Sequence, residues 1–367
     1  MKVCILIPND ELGGAEQYLK NLALHFSHID YIVDVYFLKR ENTHSWDNLK
    51  EHKNVNLYFT NQKKELIGCV FMTYNLLRKR KFYDYVFTSH VHLNFLAGFY
   101  RKIKIVNGKY FVGRESTIIH NRFIGFKLWL FNFAYKTFYN KLDLLICQSK
   151  LMKDNLLLHQ PRLSEMLKLE VIPNPINLEF IHEQMKMNGN LNLNIFGNYI
   201  VSAGRLINEK GFDILIRAFS KLNRKDLTLL ILGKGERHKD LEDLANHLGV
   251  RARVVFLGFV ENVFPYFKNA KVCVVSSRIE GFPNVLLQMM ACNSRVVSTE
   301  CAGGIKDIDG ILVADVEDVV SLSKGLTDAL SDDFNDSEKR DLFSSELKRR
   351  DFYSFFNNIK SFLVYEK

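Results

Sequence analysis

One acid, one glycine and one proline stand in Arg278-Ile279-Glu280-Gly281-Phe282-Pro283-Asn284, directly after the apolar run Val272-Cys273-Val274-Val275. The run is short and rich in branched residues, so it reads as a buried strand. Pro283, whose missing N–H costs nothing in a first helical turn, is expected to open a helix through Ala291. A strand that ends in a loop and feeds a helix start gathers unpaired N–H groups and the positive end of a helix dipole at one spot. Such a spot suits a phosphate. Glu280 falls in the loop at the strand's carboxyl end, and Gln288 lies one turn beyond Asn284 on the same helix face, so both reach a ligand bound there. A second junction of this kind is Gly13-Gly14-Ala15-Glu16, which follows Val3-Cys4-Ile5-Leu6-Ile7 and starts a helix. Glycines let backbone approach a ligand closely, so a diphosphate or an acceptor fits there, although a glycine pair also makes an ordinary tight turn. The spacing is not Gly-x-Gly-x-x-Gly, which counts against a dehydrogenase.

The stretch from Glu280 to Gln288 resembles the signature of the GT-B glycosyltransferases of family 4, retaining nucleotide-sugar enzymes in which an acid is followed, after seven residues, by another. The resemblance implies that Glu280 contacts the transferred sugar and that Gly281, Phe282, Pro283, Asn284 and Val285 complete a donor site. It also implies a ribose contact at position 288, where the family usually has glutamate and this chain has Gln288. An amide accepts one ribose hydrogen bond without the charge that strengthens it, so a weaker donor affinity or a differently held ribose is expected.

Ser202-Ala203-Gly204-Arg205-Leu206-Ile207-Asn208-Glu209-Lys210-Gly211-Phe212 is similar to a second family hallmark. An arginine gives a planar fork of donors and a lysine a mobile point charge, a pair able to neutralise a leaving diphosphate without metal. Arg205 and Lys210 are assigned that role; without Glu280 downstream they would read as solvated loop cations. Leu232-Gly233-Lys234-Gly235-Glu236 and Phe256-Leu257-Gly258-Phe259-Val260 also resemble family loops. Gly233 and Phe259 are expected to wall the donor, and turn glycines explain both loops equally well. Gly13 and Gly14 occupy the place of a family glycine pair that faces the cleft.

Three further groups qualify as candidates. In Thr88-Ser89-His90-Val91-His92, a histidine sits where a strand ends and a helix begins, and neutral imidazole can hydrogen-bond a sugar or acceptor hydroxyl. His90 is the catalytic candidate and His92 an acceptor candidate; a structural histidine is the competing reading. Arg114 and Glu115 follow the strand Tyr110-Phe111-Val112 and are acceptor candidates, or else a surface ion pair. Residues 118–141 mix aromatic side chains with Arg122, Lys127, Lys136 and Lys141, the composition of an interfacial membrane element, although apolar helices are more often core. Asp307-Ile308-Asp309 spells the Asp-x-Asp of metal-dependent transferases but follows no suitable strand end, and is read as solvated loop with no metal.

A chain of 367 residues exceeds what one core usually serves, so two domains are expected. Apolar runs alternate with helical patterns in both halves, which argues for parallel strands joined by crossover helices. The fold class is α/β, and the resemblance implies GT-B: two doubly wound Rossmann-like domains facing across a cleft. The expected boundaries are an acceptor-binding domain over 1–180, a nucleotide-sugar domain over 181–350, and a C-terminal helix near 351–367 crossing back to the first. Ile172-Pro173-Asn174-Pro175-Ile176 and the polar residues 186–198 suit the connection between them. Residues 1–180 hold 25 Lys+Arg against 16 Asp+Glu, and the remainder 25 against 25, so the net charge of +9 belongs to the first half and implies an anionic partner. Six cysteines with no Cys-x-x-Cys pair read as reduced, buried thiols. No spanning apolar run and no signal peptide are expected, which places the chain in the cytoplasm, at the inner face of the inner membrane.

The function these readings imply is transfer of a sugar from a nucleotide-diphosphate sugar, a UDP-sugar favoured, to a hydroxyl of a lipid-diphosphate-linked glycan in O-antigen or capsule synthesis. Configuration is retained, and the nucleotide sugar is a co-substrate, so no cofactor is expected. The alternatives are an epimerase or phosphorylase of the same fold, separable by product formed without acceptor, and a non-catalytic binding protein. Nucleic acid is not expected as a partner, because the excess charge reads as dispersed.

Overall fold

The computed structural model describes residues 1–11, 13–187 and 192–364, the side chains of Asn121 and Val364 excepted. The chain divides into two compact units, one formed by Met1–Pro175 with Phe352–Lys367 and the other by Ile176–Asp351. The crossing falls at the Pro173-Asn174-Pro175 stretch rather than after residue 180. Most of the polar segment 186–198 belongs to the second unit, and its residues 188–191 lie outside the described residues.

In the first unit the strands are β1 (Lys2–Ile7), β2 (Ile32–Phe37), β3 (Val55–Tyr58), β4 (Phe82–Ser89), β5 (Asn107–Arg114), β6 (Leu144–Cys147) and β7 (Lys168–Val171). They form one parallel sheet in the order β3-β2-β1-β4-β5-β6-β7. Its helices are α1 (Gly14–His28), α2 (Glu65–Lys79), α3 (Val91–Lys102), α4 (Ile119–Arg122), α5 (Gly125–Thr137), α6 (Lys150–His159) and α7 (Leu163–Met166). A parallel sheet covered on both faces needs strands that are apolar on both, and Val3 through Ile7 are all fully buried. One core lies under α2, α3, α5 and α6, the other under α1.

The second unit repeats the plan. Its helices are α8 (Leu178–Lys186), α9 (Phe212–Ser220), α10 (His238–His247), α11 (Phe264–Asn269), α12 (Asn284–Cys292), α13 (Val319–Ala329) and α14 (Asp336–Lys348). Its strands are β8 (Asn198–Ala203), β9 (Leu227–Leu232), β10 (Val254–Gly258), β11 (Val272–Val275), β12 (Val296–Thr299) and β13 (Leu312–Ala314), in the parallel order β10-β9-β8-β11-β12-β13. The last helix, α15 (Phe352–Val364), packs in the first unit. The ring of Phe356 meets Phe26 edge-on at 4.8 Å, and Phe355 meets Tyr18 at 5.7 Å.

Each sheet therefore starts from a central strand and builds outward in both directions. The strand order reverses between β1 and β4 in one unit and between β8 and β11 in the other. Ligands of open α/β sheets bind outside the carboxyl ends of the strands at such switch points. Gly13 and His90 stand at the first switch point, and Arg205, Lys210 and Glu280 at the second.

Candidate functional site

In the second unit three loops converge beyond β8, β9 and β11, and glycines let them touch. Gly211, at φ +61°, sits so close to the β11 loop that a Cβ would lie 2.1 Å from the Ser276 carbonyl oxygen. Gly233, at φ +148°, leaves 1.9 Å between such a Cβ and the carbonyl oxygen of Gly204. Neither place admits a side chain, and both φ values are unfavourable for one.

This packing brings Lys210 onto Glu280. The Lys210 ammonium pairs with Oε1 of Glu280, and the Ser277 hydroxyl donates to the same oxygen at 2.9 Å. Both partners keep about a fifth of their side chains exposed, at 19% each, so solvent or a ligand reaches them. Arg205, on the same loop as Lys210, is exposed, and its guanidinium makes no hydrogen bond or ion pair among the described residues. The Glu280 backbone N–H donates to the Cys301 carbonyl at 2.8 Å, and buried Cys301 has its thiol pushed up to about 12, first by burial and then by the Glu280 charge. That thiol stays protonated beside the carboxylate.

Pro283 lies just before α12, at φ −75° and ψ 104°, as its cap residue rather than in its first turn. It offers no side-chain cap, and the first turn carries no acid, so the anion-attracting character of the helix start is not cancelled locally. Asn284, Val285 and Gln288 are the partly exposed residues of the helix's first half. Phe282 does not join them. Its ring is buried in the core with the Arg350 guanidinium 5.1 Å above it, so it anchors the loop instead of walling a donor. Gly281 is buried beside it, while Phe259 is 66% exposed and Gly233 ties to that loop through its N–H to the Gly258 carbonyl at 2.7 Å. Asp307 and Asp309 are exposed, with Ile308 between them buried.

Arg278, a residue the sequence patterns do not single out, positions the two loops that carry Lys210 and Glu280. Its guanidinium holds both oxygens of Asp213 at 2.8 and 2.7 Å, the Asn208 carbonyl at 2.7 Å and the Glu317 carboxylate. Burial works against the Asp213 charge, but the Arg278 hydrogen bonds outweigh it and leave the carboxyl below its usual range. The bidentate clamp ties the Lys210 loop to the Glu280 loop and so fixes where the ion pair sits. Asp213, in the first turn of α9 two residues after Gly211, was the available signal.

The first unit's switch point is built differently. His90 is the cap residue of α3, and its Nε2 lies 3.2 Å from Oε1 of Glu16 in α1. Its Nδ1 is enclosed without a hydrogen-bond partner among the described residues, as is Nε2 of His92. Burial, and then the neighbouring His90 ring at 5.5 Å, holds His92 neutral with its pKa lowered to about 3. Gly13 and Gly14 precede this cluster, and a Cβ on Gly13 would stand 2.5 Å from the Glu16 carboxylate.

Arg114 and Glu115 are neither a surface ion pair nor open to an acceptor. They are 2% and 1% exposed. The Arg114 guanidinium donates to Ser89 at 3.0 Å and Asn174 at 2.6 Å and lies 4.3 Å from the Tyr18 ring; burial lowers its pKa to about 10. Glu115 accepts from Tyr139 at 3.0 Å, Tyr135 at 3.0 Å and Asn94 at 3.3 Å. Burial outweighs these donors and raises its carboxyl to about 7. The two residues brace the ends of β4, β5 and β6 from within.

Two family models match the chain: "Glycosyltransferase Family 4" over residues 12–180 and "Glycosyl transferases group 1" over residues 197–332. Among curated relatives, the chain is 32% identical over 208 residues to the N-acetylgalactosamine-N,N'-diacetylbacillosaminyl-diphospho-undecaprenol 4-alpha-N-acetylgalactosaminyltransferase of Campylobacter jejuni, covering 55% of this chain and 54% of that one. It is 33% identical over 136 residues to the lipopolysaccharide core biosynthesis glycosyltransferase LpsE of Rhizobium meliloti, covering 36% and 39%. The chain spans about half the length of the first curated relatives it matches. In overall fold it is similar to Anabaena Alr3699/HepE, solved in complex with UDP-glucose, with a TM-score of 0.78 over 99% of both chains at 20% identity. The chain belongs to the family 4 glycosyltransferases, with a group 1 glycosyltransferase domain as its second half, on the GT-B fold.

Proposed function

We propose that the protein transfers a sugar from a nucleoside-diphosphate sugar, a UDP-sugar, to a hydroxyl of a lipid-diphosphate-linked glycan of the bacterial surface, with retained configuration and without a metal. The observation that carries this reading is the Lys210–Glu280 pair, held by Ser277 at the second switch point, with the exposed Arg205 on the same loop and the start of α12 following. The Campylobacter relative is named for acting on an undecaprenol diphosphate glycan, which supports the acceptor class, and the Anabaena structure holds UDP-glucose, which supports the donor class.

In this reading the donor's diphosphate lies against the α12 start and takes up Arg205 and Lys210, whose charges offset the negative charge that grows on the leaving group. The Oε1 atom of Glu280 stays oriented by Ser277, and the carboxylate holds a hydroxyl of the transferred sugar. The bond from the anomeric carbon to the diphosphate oxygen breaks and the acceptor oxygen bonds to that carbon on the same face. The acceptor's proton passes to the departing diphosphate. His90, oriented by Glu16, hydrogen-bonds an acceptor hydroxyl. Gln288 accepts from a ribose hydroxyl.

Thermal stabilisation by a panel of nucleotide sugars tests the donor assignment, because a ligand that binds only the folded chain raises Tm. At least one UDP-sugar is expected to do so, and no shift from any nucleotide sugar would remove the proposal. Product formed without an acceptor would replace transfer by epimerisation or phosphorolysis.

A further inference from the structure

Among the described residues, exposed large hydrophobic side chains concentrate on two helices of the first unit. Of the 23 large hydrophobic side chains exposed among the described residues, 11 sit on α2 or on α5 and its cap residue. On α2, Leu66 (85%), Val70 (68%) and Tyr74 (60%) recur every four residues, so they form one stripe along the helix. Gly68 faces the other way, with a would-be Cβ 1.7 Å from the Leu38 carbonyl oxygen, which fixes the stripe outward. On α5, Phe126 (74%), Trp129 (59%) and Phe133 (49%) stack in a ladder with ring centroids 5.7 and 6.0 Å apart. Isolated exposed hydrophobics are ordinary, whereas two apolar ridges packed on one core mark an interaction surface.

Both helices bury their inner faces in the same core, with α3 between them. Thr73 of α2 meets the Tyr100 hydroxyl of α3 at 2.6 Å, and Phe95 and Phe99 of α3 meet Phe138, just beyond α5, at 5.1 and 5.3 Å. The ridges thus belong to one layer on one face of the sheet. The charge of the chain is concentrated there as well, and is not dispersed. Residues 65–143 hold 13 Lys+Arg against four acids, Glu65, Asp84, the buried Glu115 and Asp143, a surplus equal to the +9 of the whole chain. Arg78, Lys79, Arg80, Lys102, Lys127 and Lys136 are exposed.

We infer that α2 and α5 together dock this unit on the surface of an anionic phospholipid bilayer, the two ridges entering between headgroups and the cations pairing with their phosphates. A protein groove would need hydrogen-bonding groups among the contacts, and nucleic acid would need cations within the stripe; here the outward stripe of α2 is aliphatic and aromatic, with Lys63, Lys64 and the single acid Glu65 at one end and Arg78, Lys79 and Arg80 at the other. Among the described residues no helix is long and apolar enough to cross a membrane, so the contact is interfacial. From its periodicity α2 reads only as a crossover helix; its outward stripe is what the structure adds. The purpose of the contact, presenting a lipid-linked acceptor, rests on the proposed function, but the contact itself does not.

The full chain, without nucleotide or acceptor, is mixed with vesicles of phosphatidylcholine alone or of phosphatidylcholine with phosphatidylglycerol. Trp46 is 1% exposed and the other tryptophan is Trp129, so fluorescence reports on α5 directly. The expected result is a blue shift and co-sedimentation with the anionic vesicles, lost in high salt. Leu66→Ser with Val70→Ser on α2, and Phe126→Ser on α5, are each expected to weaken binding by about tenfold, with UDP binding and thermal melting unchanged. Vesicle binding unaffected by the α2 pair would overturn the two-helix surface. No vesicle binding by the wild-type chain would overturn the proposal outright, as would vesicle-independent self-association or oligonucleotide binding abolished by the same substitutions. Failure of UDP to bind the wild-type chain would instead count against the transferase reading alone.

Discussion

The two units share one strand order, yet the charged groups at the carboxyl ends of their sheets are finished differently. Beyond β8 and β11 the charged groups remain partly exposed: Arg205 is open and the Lys210–Glu280 pair is reachable. Beyond β5 the charged groups are sealed, with Arg114 and Glu115 buried among Ser89, Asn94, Tyr135, Tyr139 and Asn174, while the His90–Glu16 contact beyond β4 keeps 22% and 11% of its side chains exposed and His92 is held neutral. Topology fixes where a ligand can sit, and burial decides whether the residues there meet the ligand or hold the floor beneath it. The same pair of letters, a cation next to or near an acid, stays within reach of solvent in one unit and braces the sheet in the other.

The largest expected effect comes from removing a cation in the second unit. Lys210→Ala should lower kcat by about 10²–10³, the usual cost of losing one donor to developing negative charge, with melting unchanged to within a few degrees. Initial rates with the best donor check this. In the first unit the contrast is reversed. Glu115→Ala strips the partner from two tyrosines and an asparagine and should destabilise the chain by about 2–4 kcal/mol in urea unfolding, while UDP affinity stays as in the wild type. A Glu115→Ala chain that melts normally but no longer turns over would erase the distinction between the two sites.

Titration sharpens it further. The Glu115 carboxyl, at about 7 when folded against an ordinary 4.5, makes the native state bind the extra proton between those values, so its contribution falls as pH rises through that window. His92, at about 3 when folded against 6.5, leaves the unfolded chain binding the extra proton, so its contribution is lost as pH falls below 6.5. The two oppose each other, and the wild-type profile between them should be shallow. His92→Gln should expose a decline toward neutral pH, and Glu115→Gln a decline toward acid, each approaching about 1.4 kcal/mol per pH unit in unfolding measured across that range.

The smallest effect is at position 288. Gln288→Glu restores the charge of the family pattern and should tighten UDP binding by about fivefold in calorimetry, the increment of a charge-assisted hydrogen bond. No change would mean that the ribose is held elsewhere.

Much of this could be read from the residues because the signals are local. Short apolar runs such as Val272 to Val275 mark buried strands, and the glycines at 204, 211 and 233 mark the tight loops that follow them. What stayed hidden depends on contacts distant in sequence. Arg114 and Glu115 look like exposed charges at a strand end, and nothing nearby reveals Tyr135, Tyr139 and Asn174, which arrive from later elements. Arg278 sits inside the most informative stretch of the chain, but its partners Asp213 and Glu317 lie far from it. Phe282 resembles a donor contact by position but is buried in the hydrophobic core, with Arg350 against its ring. The edge strands β7, at four residues, and β13, at three, are too short to announce themselves. On α2, apolar periodicity gives a helix without saying that a second apolar stripe faces outward.

The central claim is that Arg205 and Lys210 grip a diphosphate at the second switch point. Calorimetric titration of UDP and of uridine into the wild type and into an Arg205→Ala, Lys210→Ala chain isolates that grip, because the two ligands differ only by the diphosphate. A UDP preference of about a hundredfold or more in the wild type that collapses in the double variant is the predicted result. An unchanged preference for UDP in the double variant would contradict it.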